Sequence, residues 1–527
     1  MRNFYVLLLV SLLVSEGHAA EGPYRMRAFV GDKVVQNTGT IPDDPSGEDP
    51  SEDDVTPPVV VSLLPPDDAS DVWKTTGLVV EFDEDVVSGS GNIVISNDDA
   101  SLFESIPVSD ARVSISGRDA NILPSTLFVE GNTYHVTFAP GVFTDTAGNP
   151  HAGLTDGADW NFTIAATPVP LQNVVGTNGA VDWEVFTAGG QTWMLVSNNG
   201  AYPGSYISSP LFRFAPENPD ASKVVFVEDV MTSGSYGWAS AQLGSETYIF
   251  GSFHNDGDYN TQSPLYRFVP GNPDGSKMQL VETLTTSGPV YPTLFNVDGE
   301  LYVLVPNYAG SLYGIPSWLL RVVPGNPEGS RFQHMQNIST QDARGFEVFV
   351  ADGETYVVVG DSSASSRLYR FVPENPDSSK LVLIQTIPSS WALRWHHFEV
   401  EGEHYLAVAN FKSTANIFRF SSTASPMVSP TPMQSIPLTE TADWDSFTYG
   451  GTTYLVLAQA TSGISYLYRF VPGNPDASKL LQIQTFETNF ANDWAPFVAG
   501  GNTYLAVANR GAFYGDASLS QVFRFYP

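Results

Sequence analysis

Three aspartates stand at equivalent places of a repeated pattern, and their carboxylates could bind a metal ion. Asp182, Asp443 and Asp493 each precede a tryptophan and stand four residues before a phenylalanine. Three carboxylates that lie close together repel one another unless a cation neutralises them, and calcium prefers such oxygen ligands. The pattern therefore predicts a calcium or similar ion at these aspartates. The alternative is that each carboxylate accepts backbone N–H groups of a neighbouring strand.

The elements that must position these aspartates come from a sequence that repeats seven times. A strand-like segment of the type Leu-aromatic-Arg-Phe begins at Leu211, Leu265, Leu319, Leu368, Ile417, Leu467 and Val522. Each copy is flanked by three further strand patterns, and repeats of about fifty residues with this composition are typical of propeller blades. We therefore predict an all-β chain with a seven-bladed β-propeller over residues 168–527. The arginine of each copy is expected to be a structural strut to a neighbouring carboxylate or carbonyl.

The two ends of the repeated region predict that the propeller closes on itself. The seventh repeat ends one strand short, and residues 171–175 resemble the outermost strands of later repeats. Pairing this early segment with the seventh repeat removes exposed sheet edges. Closure makes blades 1, 6 and 7 neighbours, so the three aspartates are expected to converge at the mouth of the central channel. The aligned residues of the other blades are Gly237, Tyr291, Gly345 and Arg394.

Aromatic residues follow these aligned positions in six of the seven blades: Trp183, Trp238, Phe346, Trp395, Trp444 and Trp494. Large rings at equivalent positions indicate packing between blades, with a stacking platform for sugars as the alternative. Blade 5 continues with His396 and His397, which could ligate zinc. Because no third ligand stands at a recognisable spacing, packing or contact with a partner is favoured there.

The loops between the second and third strands of each repeat vary in length and are rich in aromatic residues. Strand alternation places them on the same face as the aspartates, and variable loops on a rigid scaffold are typical of recognition surfaces. We predict that this face binds a ligand, and the candidate residues are Tyr202, Tyr206, His254, Tyr259, Tyr308, Tyr313, Phe513 and Tyr514.

A smaller all-β domain precedes the repeats. Residues 58–165 show six or seven short strand patterns separated by Asp, Gly, Ser and Pro clusters, which predicts a sandwich. Its sequence from Asp145 to Pro150, together with Trp160 and Phe162, resembles the bacterial Ig-like domain of S-layer and other secreted proteins. This resemblance implies a spacer or adhesion module without an active site.

The repeats also resemble a known family. The recurring Gly-x-Thr-Tyr turn, for example at Gly451 and Gly501, and the Arg-Phe strand are similar to the epilepsy-associated repeat, also called EAR or EPTP. That resemblance implies a seven-bladed propeller of secreted and cell-surface proteins that binds partner proteins and carries out no known chemistry.

The composition of the chain indicates where the protein is located and which kinds of partner it can bind. Residues 1–20 combine Arg2, an apolar run and a closing Ala19-Ala20, which predicts a secretory signal peptide. Residues 21–57 form an acidic leader that is expected to be disordered. The net charge of −33 argues against nucleic acid as a partner, and no later segment is apolar and long enough to be a transmembrane anchor. We expect a secreted or cell-surface protein.

These observations favour a non-enzymatic binding or adhesion protein. The propeller face is expected to recognise an extracellular protein or glycan, with the Ig-like domain as a spacer. Two alternatives remain open: a propeller enzyme that acts on extracellular polysaccharide through carboxylates near the channel, since such pairs leave no local sequence signature, and a structural component of a matrix or envelope.

Overall fold

The computed structural model describes residues 54–74, 76–164, 168, 170–199, 207–254, 260–272, 276–308, 315–326, 330–511 and 518–525. The predicted signal peptide and residues 21–53 of the predicted leader lie outside these ranges. Among the described residues, no helix is long and apolar enough to cross a membrane.

The first domain is a β-sandwich of short strands. They are β1 Val60–Leu64, β2 Ala69–Val72, β3 Leu78–Phe82, β4 Val86–Ser88, β5 Asn92–Asn97, β6 Leu102–Pro107, β7 Val113–Ser116, β8 Asp119–Ile122, β9 Thr133–Phe138, β10 Phe143–Asp145 and β11 Asn161–Ile164. A sheet of order β1-β3-β8-β7 faces a sheet of order β2-β11-β9-β5-β6, and β10 pairs with β4. The predicted number of six or seven strands was therefore too low. Three-residue strands such as β4 and β10 are too short to show an alternating pattern of hydrophobic and polar residues.

The sandwich core consists of the alternate residues that each strand turns inward. In β9, Tyr134, Val136 and Phe138 are buried while the residues between them are partly exposed. Trp160 is fully buried, and its indole N–H donates to the carbonyl of Pro65 at 2.8 Å. The buried tryptophan thus has a partner for its only polar atom.

The second domain consists of seven four-stranded antiparallel sheets, the blades. Blades 1 to 3 comprise β13 Ala180–Ala188, β14 Gln191–Asn198, β15 Ile207–Phe214 and β16 Val224–Thr232; β17 Ser235–Leu243, β18 Glu246–Phe253, β19 Asn260–Phe268 and β20 Met278–Ser287; and β21 Thr293–Val297, β22 Glu300–Val305, β23 Ser317–Val322 and β24 Phe332–Ile338. Blades 4 to 6 comprise β25 Ala343–Ala351, β26 Glu354–Asp361, β27 Ser366–Phe371 and β28 Leu381–Ile387; β29 Ala392–Val400, β30 Glu403–Asn410, β31 Ala415–Phe420 and β32 Gln434–Ile436; and β33 Thr441–Tyr449, β34 Thr452–Gln459, β35 Ile464–Phe470 and β36 Leu480–Glu487. In the described parts of the chain, short 3-10 helices cover Asp220–Ser222, Asp377–Ser379 and Asp476–Ser478.

The seventh blade confirms the predicted closure. It contains β37 Ala491–Ala499, β38 Asn502–Asn509 and β39 Ser520–Arg524, and its fourth strand is β12 Gln172–Val174. Gln172 lies opposite Val522 in the antiparallel register. A segment before the first blade therefore completes the last one, and the ring has no free sheet edge there.

The first two strands of each blade are joined by tight turns. In blade 4 the turn residues Asp352 and Gly353 have φ of 51° and 80°. Positive φ at both central positions matches the right-handed twist of the flanking strands, as the glycine-rich turn sequences predict.

Side chains of the outer strands join neighbouring blades. The side-chain amide of Gln172 donates to the carbonyl of Val224 and accepts its N–H, at 3.0 and 2.8 Å. The same reciprocal pair links Gln336 to Leu381, and Gln434 to Leu480. This repeated clasp between blades was not foreseen from the sequence.

Several of the seven repeat arginines act as the predicted struts. Arg321 lies 3.6 Å from Asp377, and Arg524 lies 3.4 Å from Asp220, each on the adjoining blade. Because these carboxylates are more than half exposed, such pairs contribute little stability singly.

One tryptophan of the sandwich packs into the propeller. Trp73 is 3% exposed and contacts Phe486 and Phe525 edge-on, with ring centroids 5.3 Å away in both cases. Trp73 thereby belongs to the hydrophobic cluster shared by blades 6 and 7. The two domains are joined by a packed core contact.

Candidate functional site

The three predicted aspartates meet around one guanidinium group. The Nη1 atom of Arg394 lies 2.7 Å from Asp493, 2.9 Å from Asp443 and 3.8 Å from Asp182. The three aspartates are buried at the channel and the Arg394 side chain is 12% exposed, and each of the four is the third residue of the innermost strand of its blade. The alignment of equivalent residues therefore placed them in one site.

Two of the aspartates also hold neighbouring blades together. Asp182 accepts the backbone N–H of Trp238 at 3.0 Å, and Asp493 accepts that of Trp183 at 2.9 Å. This is the alternative role, with backbone N–H partners, that the sequence left open.

Burial sets the electrostatics of this cluster. Burial, reinforced by the Asp493 carboxylate, raises the pKa of Asp182, and burial also raises the pKa of Asp443 well above its usual range although Arg394 opposes the shift. Three carboxyl groups share one guanidinium, so protonation of one carboxyl lowers the remaining repulsion. Arg394 supplies positive charge where the sequence argument placed a divalent ion. Calcium at Asp182, Asp443 and Asp493 stays a prediction.

Contacts across the ring close the channel at this end. The guanidinium of Arg394 lies over the ring of Tyr291, 3.5 Å from its centroid. The amide of Asn492 donates to the Tyr291 hydroxyl at 2.5 Å and to the carbonyl of Val181 at 2.8 Å. These contacts join blade 3 to blade 7 through the centre of the ring.

A second layer of titratable residues lines the channel two positions further along the innermost strands. It contains Glu184, Glu347, His396 and Asp445, and together with the first layer it surrounds a cavity of about 280 Å³. Glu184 accepts the N–H of Ser240 at 3.0 Å, and Glu347 accepts that of His397 at 3.0 Å. The sequence analysis missed this layer, although reading two residues beyond each aligned position would have shown it.

The second layer holds protons near neutral pH. Burial raises the pKa of Glu184 to about 8 and that of Glu347 to about 7, and it raises the pKa of Asp445 well above its usual range. Burial lowers the pKa of His396 to about 3, so its ring is neutral. The His396 Nε2 atom lies 2.8 Å from the Ser446 hydroxyl. This layer therefore carries less negative charge at neutral pH than three fully ionised carboxylates would.

The two histidines of blade 5 have separate surroundings. Whereas His396 faces the channel, the ring of His397 stacks on Phe349 at 4.5 Å and its Nε2 lies 3.0 Å from Nδ1 of His404. The six aromatic residues aligned beside the channel are buried between blades. The packing interpretation thus describes these rings, and their faces are not open to sugars.

Seven pairs of residues surround the channel on the face where the innermost strands begin, and we call them the rim. In each pair an N–H donates to the carbonyl of the residue twenty positions earlier, over 2.9 to 3.3 Å. In six blades the two residues directly follow the second strand and directly precede the first, whereas in blade 3 they lie three and five positions outside those strands. The pairs are Gly179/Asn199, Gly234/His254, Gly288/Tyr308, Asp342/Ser362, Trp391/Phe411, Glu440/Ala460 and Phe490/Arg510. The backbone contact is constant around the ring while the side chains vary.

Two of the predicted ligand-binding residues lie in the rim. His254 is buried, its ring lies 4.6 Å from that of Tyr236 and 5.3 Å from that of Tyr308, and burial lowers its pKa to about 4. Tyr308 is half-buried with the guanidinium of Arg344 over its ring at 3.9 Å. His254 therefore packs beneath the exposed surface of the rim and does not itself face the solvent. The other six candidates, Tyr202, Tyr206, Tyr259, Tyr313, Phe513 and Tyr514, lie outside the described residues.

Comparisons with known protein families agree with both resemblances. A family model described as a bacterial Ig-like domain matches residues 54–164, and a model described as an EPTP domain matches residues 331–372 and 380–421. The chain carries a bacterial Ig-like domain followed by EPTP repeats, as the sequence analysis predicted.

Whole-protein relatives are more distant. The thrombospondin-type laminin G domain and EAR repeat-containing protein of Mus musculus is 30% identical over 140 residues, which are 26% of this chain and 20% of the mouse protein. The chain thus spans about a fifth of that relative. Solved structures include BBS1N in complex with ARL6DN (11% identity, TM-score 0.42, 67% of this chain and 94% of that chain) and a protein from Lactobacillus plantarum (11%, 0.39, 75% and 97%). Likeness at this level carries no argument about function.

Proposed function

We propose that this chain, an Ig-like domain followed by EPTP repeats, is a secreted or cell-surface binding protein without enzymatic activity, whose rim binds an extracellular partner protein. The observation that supports this most directly is the rim itself. Seven equivalent backbone contacts hold fourteen residues, three of them glycine, and the residue types differ from blade to blade. A rigid scaffold with variable side chains is a typical recognition surface.

The repeat family supports a protein as the partner. EPTP repeats generally bind proteins, and the mouse relative carries EAR repeats beside a laminin G domain. In this proposal the Ig-like domain carries the propeller, and the buried Trp73 contact fixes the propeller against it. A fixed orientation reduces the entropy that is lost when the rim binds.

Capture from the native extracellular fraction tests the rim. Full-length wild type is compared with a rim variant, Phe411→Ser with Phe490→Ser, and with a control variant, Phe226→Ser with Leu280→Ser. The control residues are exposed apolar side chains of outer strands away from the rim. We expect the same protein to be captured by wild type and control and lost by the rim variant. Equal capture by all three would place binding elsewhere.

A polysaccharide-cleaving enzyme is the second candidate, and the channel gives it one supporting observation. A Glu184 carboxyl with a pKa near 8 keeps its proton at neutral pH, as a general acid must. The contacts among Arg394, Tyr291 and Asn492 bridge the rim end of the channel, however, and so obstruct the path of a polymer from there. The test is to incubate wild type and Glu184→Gln with a panel of glycans and measure the reducing ends that are released. Release by wild type but not by Glu184→Gln would establish an enzymatic activity.

A further inference from the structure

We infer that the rim pairs of blades 5 and 7, together with Lys412 directly after Phe411, bind an acidic segment of the partner protein. We call these five residues the cationic arc (Trp391, Phe411, Lys412, Phe490 and Arg510). The inference rests on the proposed function and specifies the chemistry of the partner. Lys412 is exposed, and the other four side chains are half-buried. Two independent observations, backbone strain and unpaired positive charge, support it.

The first observation concerns the backbone. The leading residue of six rim pairs has a φ between 54° and 66°, in the left-handed region. Three of the six are glycine, which adopts this region freely, whereas Glu440, Trp391 and Phe490 are not. Side chains with a Cβ are disfavoured there, most of all bulky ones. The fold is built equally well with glycine in blades 1 to 3, so it does not require the two aromatic side chains.

Strain of this kind is retained where the side chain has a use. Trp391 and Phe490 stand on the binding face, and the ring of Trp391 lies 6.3 Å from that of Phe411. Phe411 and Phe490 therefore offer half-buried apolar surface beside the channel mouth. Such rings are the anchors that commonly dominate protein interfaces.

The second observation concerns charge. Besides Arg394 inside the channel, four cations lie at this face: Arg344, Arg367, Lys412 and Arg510. Among the described residues none of these four forms an ion pair with a carboxylate, whereas five of the seven repeat arginines at the other end of the blades do. The Lys412 ammonium lies over the Trp391 ring, 3.3 Å from its centroid. The Nη2 atom of Arg510 donates to the carbonyl of Ala460 in blade 6 at 3.5 Å.

The acidic residues of the rim pairs are engaged locally. Asp342 accepts the Ser363 hydroxyl, and Glu440 accepts the Thr461 hydroxyl. In a chain with 57 acidic and 24 basic residues, cations held on aromatic rings and left without carboxylates remain available to an external anion.

A short acidic segment fits this arc better than a long polyanion. The net charge of −33 repels an extended polyanion beyond the arc, whereas a few carboxylates flanked by apolar residues meet only the local cations and rings. Lys412 and Arg344 already cover the faces of Trp391 and Tyr308, so those faces are closed to sugar stacking. The local charge and the covered ring faces therefore favour an acidic peptide segment over an acidic glycan.

Fluorescence anisotropy on the full-length protein tests the inference. The probe is a fluorescein-labelled peptide of alternating Glu and Phe, compared with the same peptide carrying Lys for Glu and with an alginate oligosaccharide. The variant Lys412→Gln with Arg510→Gln removes two charges of the arc. Arg118→Gln removes an exposed charge of the Ig-like domain as the matched control.

We expect the acidic peptide to bind wild type and Arg118→Gln alike, and to bind the double variant about tenfold more weakly. Added salt should weaken the binding further because exposed charges are screened. Equal affinity for the double variant, or cation-dependent binding of alginate without binding of the acidic peptide, would overturn the inference.

The variant Trp391→Gly separates binding from folding. Because glycine is favoured at this φ, we expect an unchanged or higher melting temperature together with weakened peptide binding. A lower melting temperature with full binding would show that the ring serves the fold and would count against the arc. If the partner captured by the rim stays bound to Lys412→Gln with Arg510→Gln at every salt concentration, the proposed function stands and this inference fails.

Discussion

The guanidinium of Arg394 in blade 5 lies 2.7 Å from the carboxylate of Asp493 in blade 7, so one ion pair spans the channel past blade 6. The same nitrogen contacts Asp443 of blade 6 at 2.9 Å. Three consecutive blades are therefore joined at their innermost strands by a single buried cation. Removing that cation would leave the buried carboxylates without a counter-charge.

Arg394→Gln is expected to lower the free energy of unfolding by about 3–5 kcal/mol, since it leaves buried carboxyls unpaired. Urea unfolding followed by tryptophan fluorescence measures it. Arg267→Gln, at an ion pair that is 45% exposed on both sides, is the control and should cost less than about 1 kcal/mol. If Asp493→Asn in the Arg394→Gln background restores no stability, the cluster does not act as a charge-balanced unit.

The raised carboxyl pKa values of the channel predict that stability falls with pH. The pKa of Glu184 rises on folding from 4.5 to about 8, so the folded state holds a proton that the unfolded state releases. Its contribution is complete below pH 4.5 and is lost as the pH rises towards 8. We expect the urea midpoint to fall over that range in wild type and to fall less steeply in Glu184→Gln.

The exposed Glu374 provides the control for this pH dependence. Glu374→Gln changes an exposed side chain outside the channel and should leave the slope of wild type unchanged. Parallel curves for wild type and Glu184→Gln would show that Glu184 ionises normally in the folded protein.

Calcium binding at Asp182, Asp443 and Asp493 competes with Arg394 for the same oxygens. Because the guanidinium lies within 4 Å of all three carboxylates, an ion must displace it, and we expect less heat when calcium is titrated into chelator-treated wild type than into Arg394→Gln. Arg394→Gln frees the oxygens and should allow an ion to bind. Calorimetric heat in wild type that disappears in Asp443→Asn would instead establish the ion at this site.

Trp73→Ala should weaken the attachment of the Ig-like domain to the propeller. Deletion of a buried tryptophan side chain costs about 3–5 kcal/mol, and Trp73 packs on both Phe486 and Phe525. Differential scanning calorimetry should show the wild-type transition shifting down or separating into two. Leu102→Ala, at a side chain that is 64% exposed, is the control and should leave the transition in place.

Gln172→Ala tests the closure of the ring. Its amide makes two hydrogen bonds to the backbone of Val224, so its loss should cost about 1–3 kcal/mol. Asn173→Ala on the same strand removes an exposed side chain and should be close to neutral. Equal unfolding free energies for the two variants would show that this clasp does not stabilise the closed ring.

The periodicity of the sequence was sufficient for the architecture. The recurring Arg-Phe strand and the tight glycine turns predicted seven blades, and residues 171–175 predicted the closing strand, because each blade repeats one local pattern. Aligning the blades also predicted that Asp182, Asp443 and Asp493 converge at the channel. The short strands of the sandwich were missed, since three-residue strands such as Phe143–Asp145 carry no periodic signal.

Only the tertiary structure decided what neutralises the aspartates and which side chains the rim presents. Arg394 is about fifty residues from Asp443 and about one hundred from Asp493 in the chain, and their contact exists only once the ring has closed. The same closure buries Glu184 and Glu347 and so keeps their protons near neutral pH. Sequence repetition specifies which residues are equivalent, whereas burial and charge balance depend on which of them meet in space.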